Sequence, residues 1–152
     1  MKKLFKFSLL LMAILFALNA NAKIEKSDIL GSWTQSVNEE GISVTTTYDF
    51  KEDNTMTQIF IMNGASPKMN VIADGTAQYT LNDDSITFKF SGSDFNFTVF
   101  EIEGIPQEYV GLAQEQMRSS LVNVEQTLSD IKINGNTLTA KFNGETVTLE
   151  RK

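Results

Sequence analysis

The chain has no cysteine and no histidine in its 152 residues, only two prolines and a single tryptophan. Without cysteine no disulfide can staple the fold, so its stability must come from packing. The two absences together exclude nucleophilic machinery of the Ser-His-Asp or Cys-His kind. They also exclude a zinc site built from imidazole and thiolate. Proline is scarce while β-branched and aromatic residues are plentiful, which is the composition of a β-rich domain rather than a disordered linker.

Long apolar runs are also missing, apart from Leu9 to Leu18 near the start. That run is too short to cross a hydrocarbon layer comfortably, which takes about 20 residues. It follows the basic Lys2, Lys3 and Lys6 and precedes the small residues of Ala20-Asn21-Ala22. The arrangement reads as a signal peptide over residues 1–22, cleaved after Ala22; the alternative is a retained membrane anchor. No cysteine follows the cleavage point, so a lipoprotein is not expected. The expectation is an exported chain, periplasmic or secreted, with no stable membrane insertion once the signal is removed.

From Lys23 onward the chain holds ten basic and nineteen acidic residues, a net charge of −9. Counterion release cannot drive so acidic a chain onto nucleic acid, and anionic membrane surfaces repel it as well. Residues 23–152 are enough for one domain with a real core, and no internal repeat suggests a second.

Strand signals then recur at short intervals. A turn of helix is expected over Lys26–Leu30, with Ser27 or Asp28 as its cap. The first strand follows at Gly31–Ser36. Ile42–Phe50 alternates apolar and polar residues cleanly, so one face is buried and the other wet. The next strands are read at Thr55–Met62 and Met69–Leu81, the latter broken by a bulge or bend at Asp74-Gly75. Ile86–Phe90 alternates again. Phe95, Phe97 and Val99 alternate too, before Phe100 and Ile102 move the apolar set to the other face. Pro106 then opens a helix to about Leu128, with Val110, Ala113, Met117, Leu121, Val124 and Leu128 spaced by three and four. Ser129–Ile133, Thr137–Phe142 and Glu145–Glu150 are further strands, joined through Asn134-Gly135-Asn136 and Asn143-Gly144, strong hairpin signals. The fold class is therefore all-β: an antiparallel up-and-down barrel of about eight to nine strands with one inserted helix, since closure removes exposed edges. A β-sandwich is the alternative.

Asp28-Ile29-Leu30-Gly31-Ser32-Trp33 resembles the Gly-x-Trp start of lipocalins, in which a helical turn precedes the first strand. Phe50–Thr55, Asp74–Leu81 and the two stretches Asn136–Thr139 and Leu149–Lys152 are similar to segments of small exported bacterial lipocalin-like domains. The resemblance covers most of residues 23–152 and implies a β-barrel whose tryptophan packs across the closed end. It also implies a non-enzymatic role in binding a small apolar or amphipathic ligand. The helix departs from the lipocalin pattern, where it follows the last barrel strand. Lys89 and Lys141 fall on the face opposite their apolar neighbours, so an acidic ligand head group has no obvious interior partner.

The expected pocket lining is Trp33, Tyr48, Phe60, Tyr79, Phe88, Phe90 and Phe97, with Met117 on a helical lid. Methionines such as Met56, Met62 and Met69 suit an adaptable interior. A barrel of this size is either filled by side chains or hollow enough for one small ligand. The other reading is a solid-core exported protein that binds another protein through its outer face or helix. Exposure of the outward residues of Ile59-Phe60-Ile61-Met62, together with Phe100 and Ile102, favours that second reading, and cover by the helix favours the first.

Catalytic residues are not expected. Glu101 and Glu103 share a strand face, as a pair of glycosidase carboxylates would, but a strand end exposes acids in any case. The acidic turns Glu52-Asp53-Asn54 and Asn82-Asp83-Asp84 lack the spacing of a calcium loop and use residues that turns favour anyway. No metal or cofactor is called for.

Overall fold

The computed structural model describes residues 23–152, so the signal segment read at 1–22 lies outside the described residues. The chain enters through α1 (Lys26–Ile29). Its cap is Glu25, whose backbone N–H donates to Asp28 Oδ2 at 2.9 Å. Asp28 thus caps from inside the helix and Ser27 takes no part.

Nine strands follow: β1 (Gly31–Glu39), β2 (Ile42–Phe50), β3 (Thr55–Ala65), β4 (Lys68–Asn82), β5 (Ser85–Lys89), β6 (Phe95–Ile102), β7 (Glu125–Asn134), β8 (Thr137–Phe142) and β9 (Glu145–Arg151). All the pairings between them are antiparallel. Eight strands close a barrel in the order β1-β2-β3-β4-β5-β7-β8-β9 and back to β1, while β6 is an extra strand. The closed barrel, not the sandwich, is the architecture.

The meander is broken once. β4 is long enough to hold two partners on one edge: Tyr79–Asn82 pairs with β5, and Met69–Gly75 with β6. The helix α2 (Gln107–Leu121) then carries the chain from β6 to β7, which pairs with β5.

Three sequence readings change. The helix ends at Leu121 rather than near Leu128, because Asn123 takes φ +62° and Glu125–Leu128 pairs with β5. Val124 and Leu128 continue the three-four spacing by coincidence. Asp74-Gly75 is not a break, since β3 pairs with β4 straight through it. Gly75 is there because aromatic rings lie against its backbone: a Cβ would sit 2.8 Å from Phe90 and 2.9 Å from Phe95. Nor does the apolar set of β6 change faces. The register slips between Ile72 and Ala73, leaving Thr98 as an extra residue. A bulge of one residue inverts the alternation, so Phe95, Phe97, Phe100 and Ile102 all share the inner face.

Strand lengths decide the barrel's shape. β1 to β4 have 9, 9, 11 and 15 residues, against 5, 6 and 7 for β5, β8 and β9. Closure between β1 and β9 rests on two residue pairs, Trp33↔Arg151 and Thr34↔Glu150. Beyond Thr34 the strands β1 to β4, with β6, overhang as a flared sheet.

Candidate functional site

The inner face is best followed layer by layer. At the closed end Trp33, Phe50, Met56, Ile86, Phe88, Leu138 and Leu149 are all buried, and this end is filled. Trp33 Nε1 donates to the Ile29 carbonyl at 2.8 Å, and the Arg151 guanidinium lies over its ring, 4.2 Å from the centroid. Arg151 Nη1 and Nη2 donate to the Leu30 and Asp28 carbonyls at 2.6 and 2.7 Å. Three elements are thereby locked around one indole. The cation–π contact adds to the two charge-assisted hydrogen bonds.

From this floor a chain of aromatic contacts climbs the wall. It runs Tyr79, Phe50, Tyr48, Phe88, Phe90, Phe95, Phe97, Phe100, with successive centroids 5.2–6.3 Å apart and mostly edge-to-face. Such pairs add roughly 0.5–1.5 kcal/mol each beyond their burial.

Above the Trp33–Tyr48 pair the same inner face opens. The next cross-strand rows are Gln35-Thr46-Phe60-Ala73-Phe97, then Val37-Val44-Met62-Val71-Phe100, then Glu39-Ile42-Gly64-Met69-Ile102. The small Ala73 and Val71 are buried, each flanked in register by two larger residues. The larger ones are only half-buried, and Val37 is 40% exposed. Two clefts bound this surface. One, of about 330 Å³, lies where Met69, Phe100 and Ile102 meet Ile105 and Val110, with Lys68, Glu101 and Glu103 also lining it. The other, of about 220 Å³, is lined by Val37, Glu39, Glu40, Ile42 and Val44.

α2 leans on β6 with none of its residues fully buried, and Tyr109 and Leu112 are more than half exposed. Its tether is Arg118 near the C-terminal end. The guanidinium lies 5.7 Å from the Phe97 ring centroid, and Nη1 donates to the Phe95 and Gly92 carbonyls. Gln126, buried on β7, donates through Nε2 to the Leu121 carbonyl at 3.4 Å and holds the helix end from below. The N-terminal half of α2 has no comparable anchor among the described residues.

The sequence-derived lining divides between the two regions. Trp33, Tyr79, Phe88 and Phe90 belong to the filled end and are buried there. Tyr48 stands at the boundary, while Phe60 and Phe97 lie in the open row above it. Met117 is half-buried on α2. Sequence reasoning missed the polar members of the inner face: Gln35, Thr46 and Gln58 all point inward next to Tyr48. Burial pushes the Tyr48 hydroxyl up to about 12. The Tyr79 hydroxyl, raised first by burial and then by the Asp53 carboxylate, donates to the Lys51 carbonyl at 2.8 Å.

Outside the barrel, Ile61, Ile72 and Val99 line up across β3, β4 and β6, half-exposed, with Ile59 beside them at 40%. Glu101 and Glu103 are exposed, and the Glu103 carboxylate accepts from the Lys68 backbone N–H at 3.1 Å. Lys141 faces outward and pairs with Asp130 at 2.8 Å. Among the described residues no helix is long and apolar enough to cross a membrane, and no three acidic side chains converge as metal ligands would. Neither the scan against protein-family models nor the search of curated proteins finds a match.

Proposed function

We propose that the chain is an exported, lipocalin-like binding protein without enzymatic activity, which takes up a small apolar or amphipathic molecule on the concave face of β1 to β4 and β6. One observation carries the reading. A single continuous inner face is sealed from solvent at one end and only partly buried at the other, where Val44, Phe60, Met62, Phe97 and Phe100 keep part of their apolar surface in contact with solvent. Folding alone gives no reason to leave such a concavity unfilled, because apolar surface exposed to water forgoes about 25 cal/mol per Å². A mostly apolar concavity with a few polar groups is the usual form of a small-ligand site. Of the two clefts at its corners, the one of about 330 Å³ beside Met69, Phe100 and Ile102 reaches the size that takes a small ligand.

The test is native mass spectrometry of the protein purified from its host, paired with titration of an environment-sensitive apolar dye. A co-purifying mass lost on denaturation, or a saturable rise in dye emission, supports the reading. A bare protein mass together with no dye enhancement overturns it. N-terminal sequencing of the exported protein checks the signal assignment, with Lys23 as the expected first residue.

The outer stripe of Ile59, Ile61, Ile72 and Val99 supports a second reading, an exported protein that binds another protein through its outer face. Replacing Ile61 and Ile72 with threonine would abolish such an association and leave dye binding intact.

A further inference from the structure

Four polar side chains occupy one patch of the otherwise apolar concavity. Gln35 and Thr46 are cross-strand partners, as are Tyr48 and Gln58, and Thr46 and Tyr48 are successive inward residues of β2. Among the described residues no hydrogen bond ties any of the four side chains to another protein group, and none of their polar atoms is a sealed group without a partner, so they are free to serve the open concavity. Nothing in the closed end's packing requires a hydroxyl here, since Phe50 fills the next inward position of β2 without one. The apolar phase of three strands is interrupted by glutamine or threonine at three adjoining positions, which places donors and acceptors together at the foot of the open surface.

We propose that Gln35, Thr46, Tyr48 and Gln58 recognise one uncharged polar group, a hydroxyl or a carboxamide, carried on the end of the apolar chain that the concave face takes. The proposal rests on the ligand-binding reading above and adds the class of ligand. Charge at the site selects against an ionised head group. Arg151 is the one inward-facing cation of the described strands, and it is engaged at the floor beneath Trp33. Arg118, over Phe97, already serves two carbonyls and lies 3.8 Å from Glu115. Glu39 and Glu40 stand at the rim beside Val37. Lys68 lines the far cleft, where Glu101 and Glu103 accompany it. It is roughly 20 Å along the strands from the Tyr48 patch at about 3.3 Å per residue. Amides and hydroxyls both donate and accept, and so does each of the four side chains. The Tyr48 hydroxyl stays neutral through the physiological range because burial holds its ionisation near pH 12.

The experiment is displacement of bound N-phenyl-1-naphthylamine from the purified protein at pH 8 by 1-decanol, decanamide and decanoate. The alcohol and amide are expected to displace the dye at concentrations at least about tenfold below the carboxylate, the discrimination that one charge-unpaired head group costs. Tyr48→Phe and Gln58→Leu are each expected to weaken decanol about threefold to tenfold and to leave decanoate unchanged. Tyr48→Phe keeps the ring. Should it nonetheless fail to fold by circular dichroism, Gln58→Leu and Thr46→Val at half-exposed positions carry the test. If the dye binds but decanoate competes as well as decanol, or decanol is unaffected by the variants, the head-group assignment is overturned while ligand binding stands. Decanoate held at Lys68 or Arg118 would give the first of these results. If the dye does not bind and no ligand co-purifies, the ligand-binding reading falls and the assignment with it.

Discussion

The two ends of the barrel are built from the same strands and the same alternation, yet they are packed differently. At the closed end the inward side chains gather into one buried cluster, and Trp33, Phe50, Met56 and Phe88 are sealed from solvent. At the flared end the inward residues of β1 to β4 and β6 meet no opposite wall of equal height, because β5, β8 and β9 stop short. The difference begins with strand length: Val44, Phe60 and Met62 are as apolar as the residues below them, and only Gln35, Thr46 and Gln58 break the apolar face. Letting some strands of a barrel outlast the others thus separates a packed end from an open one and, on the proposed function, stability from binding.

That separation can be broken by substitution. Phe50→Ala at the closed end is expected to cost about 3–5 kcal/mol, against less than about 2 kcal/mol for Phe60→Ala in the open row, by urea denaturation. Equal costs would mean that the two ends share one core. Gly75→Ala is next, at about 1–3 kcal/mol, because its Cβ would press on the buried Phe90 and Phe95 rings at 2.8–2.9 Å. Pairing it with Phe90→Leu should recover part of the loss if the clash is the cause.

Tyr48 marks the boundary, and its response to pH sharpens it. Its folded-state ionisation is raised to about 12 by burial, above the value of about 10 in an unfolded chain. The folded state thus keeps its proton where the unfolded state has lost it, so stability is intact below pH 10 and falls as pH rises toward 12. The loss from this residue is about 2 kcal/mol at pH 12. Tyr48→Phe should remove that component of the alkaline destabilisation, visible as a shallower fall in melting temperature between pH 10 and 12. The smallest effect is expected outside the barrel. Lys141 holds the Asp130 carboxyl below its usual range through a hydrogen bond and charge, but both side chains are more than half exposed. Exposed pairs contribute little. Lys141→Met should leave the melting temperature nearly unchanged at pH 7, and what the pair adds should fade as pH falls through the depressed Asp130 value.

Most of the fold was legible in the alternation of the strands. Ile42–Phe50 and Thr137–Phe142 have the bounds their patterns predict. The misreadings have a common origin in effects that act across the sheet. In β6 one inserted residue and a change of face produce the same apolar pattern, and only the partner strand tells them apart. Gly75 resembled a bulge because the rings that need its missing side chain are fifteen and twenty residues further on in the chain. The helix ran too far on paper because Leu128 fits both a three-four spacing and the alternation Gln126-Leu128. For the site, the aromatic residues were found but not their division between the filled end and the open row, which depends on where β9 stops. The polar patch did leave a signal: Gln35 is in phase with Trp33, Thr46 with Val44 and Tyr48, and Gln58 with Met56 and Phe60. Polar residues in the buried phase of three neighbouring strands point to a functional interior.

The most direct test of the separation uses the methionines, which report both ends of the barrel. Met56 lies in the sealed end, and Met62 and Met69 line the open surface. With methyl-labelled methionine, titration of the protein with 1-decanol should shift the Met62 and Met69 resonances and leave Met56 in place. Movement of Met56 while Met62 and Met69 stay fixed would put the ligand in the end described here as solid and contradict the account.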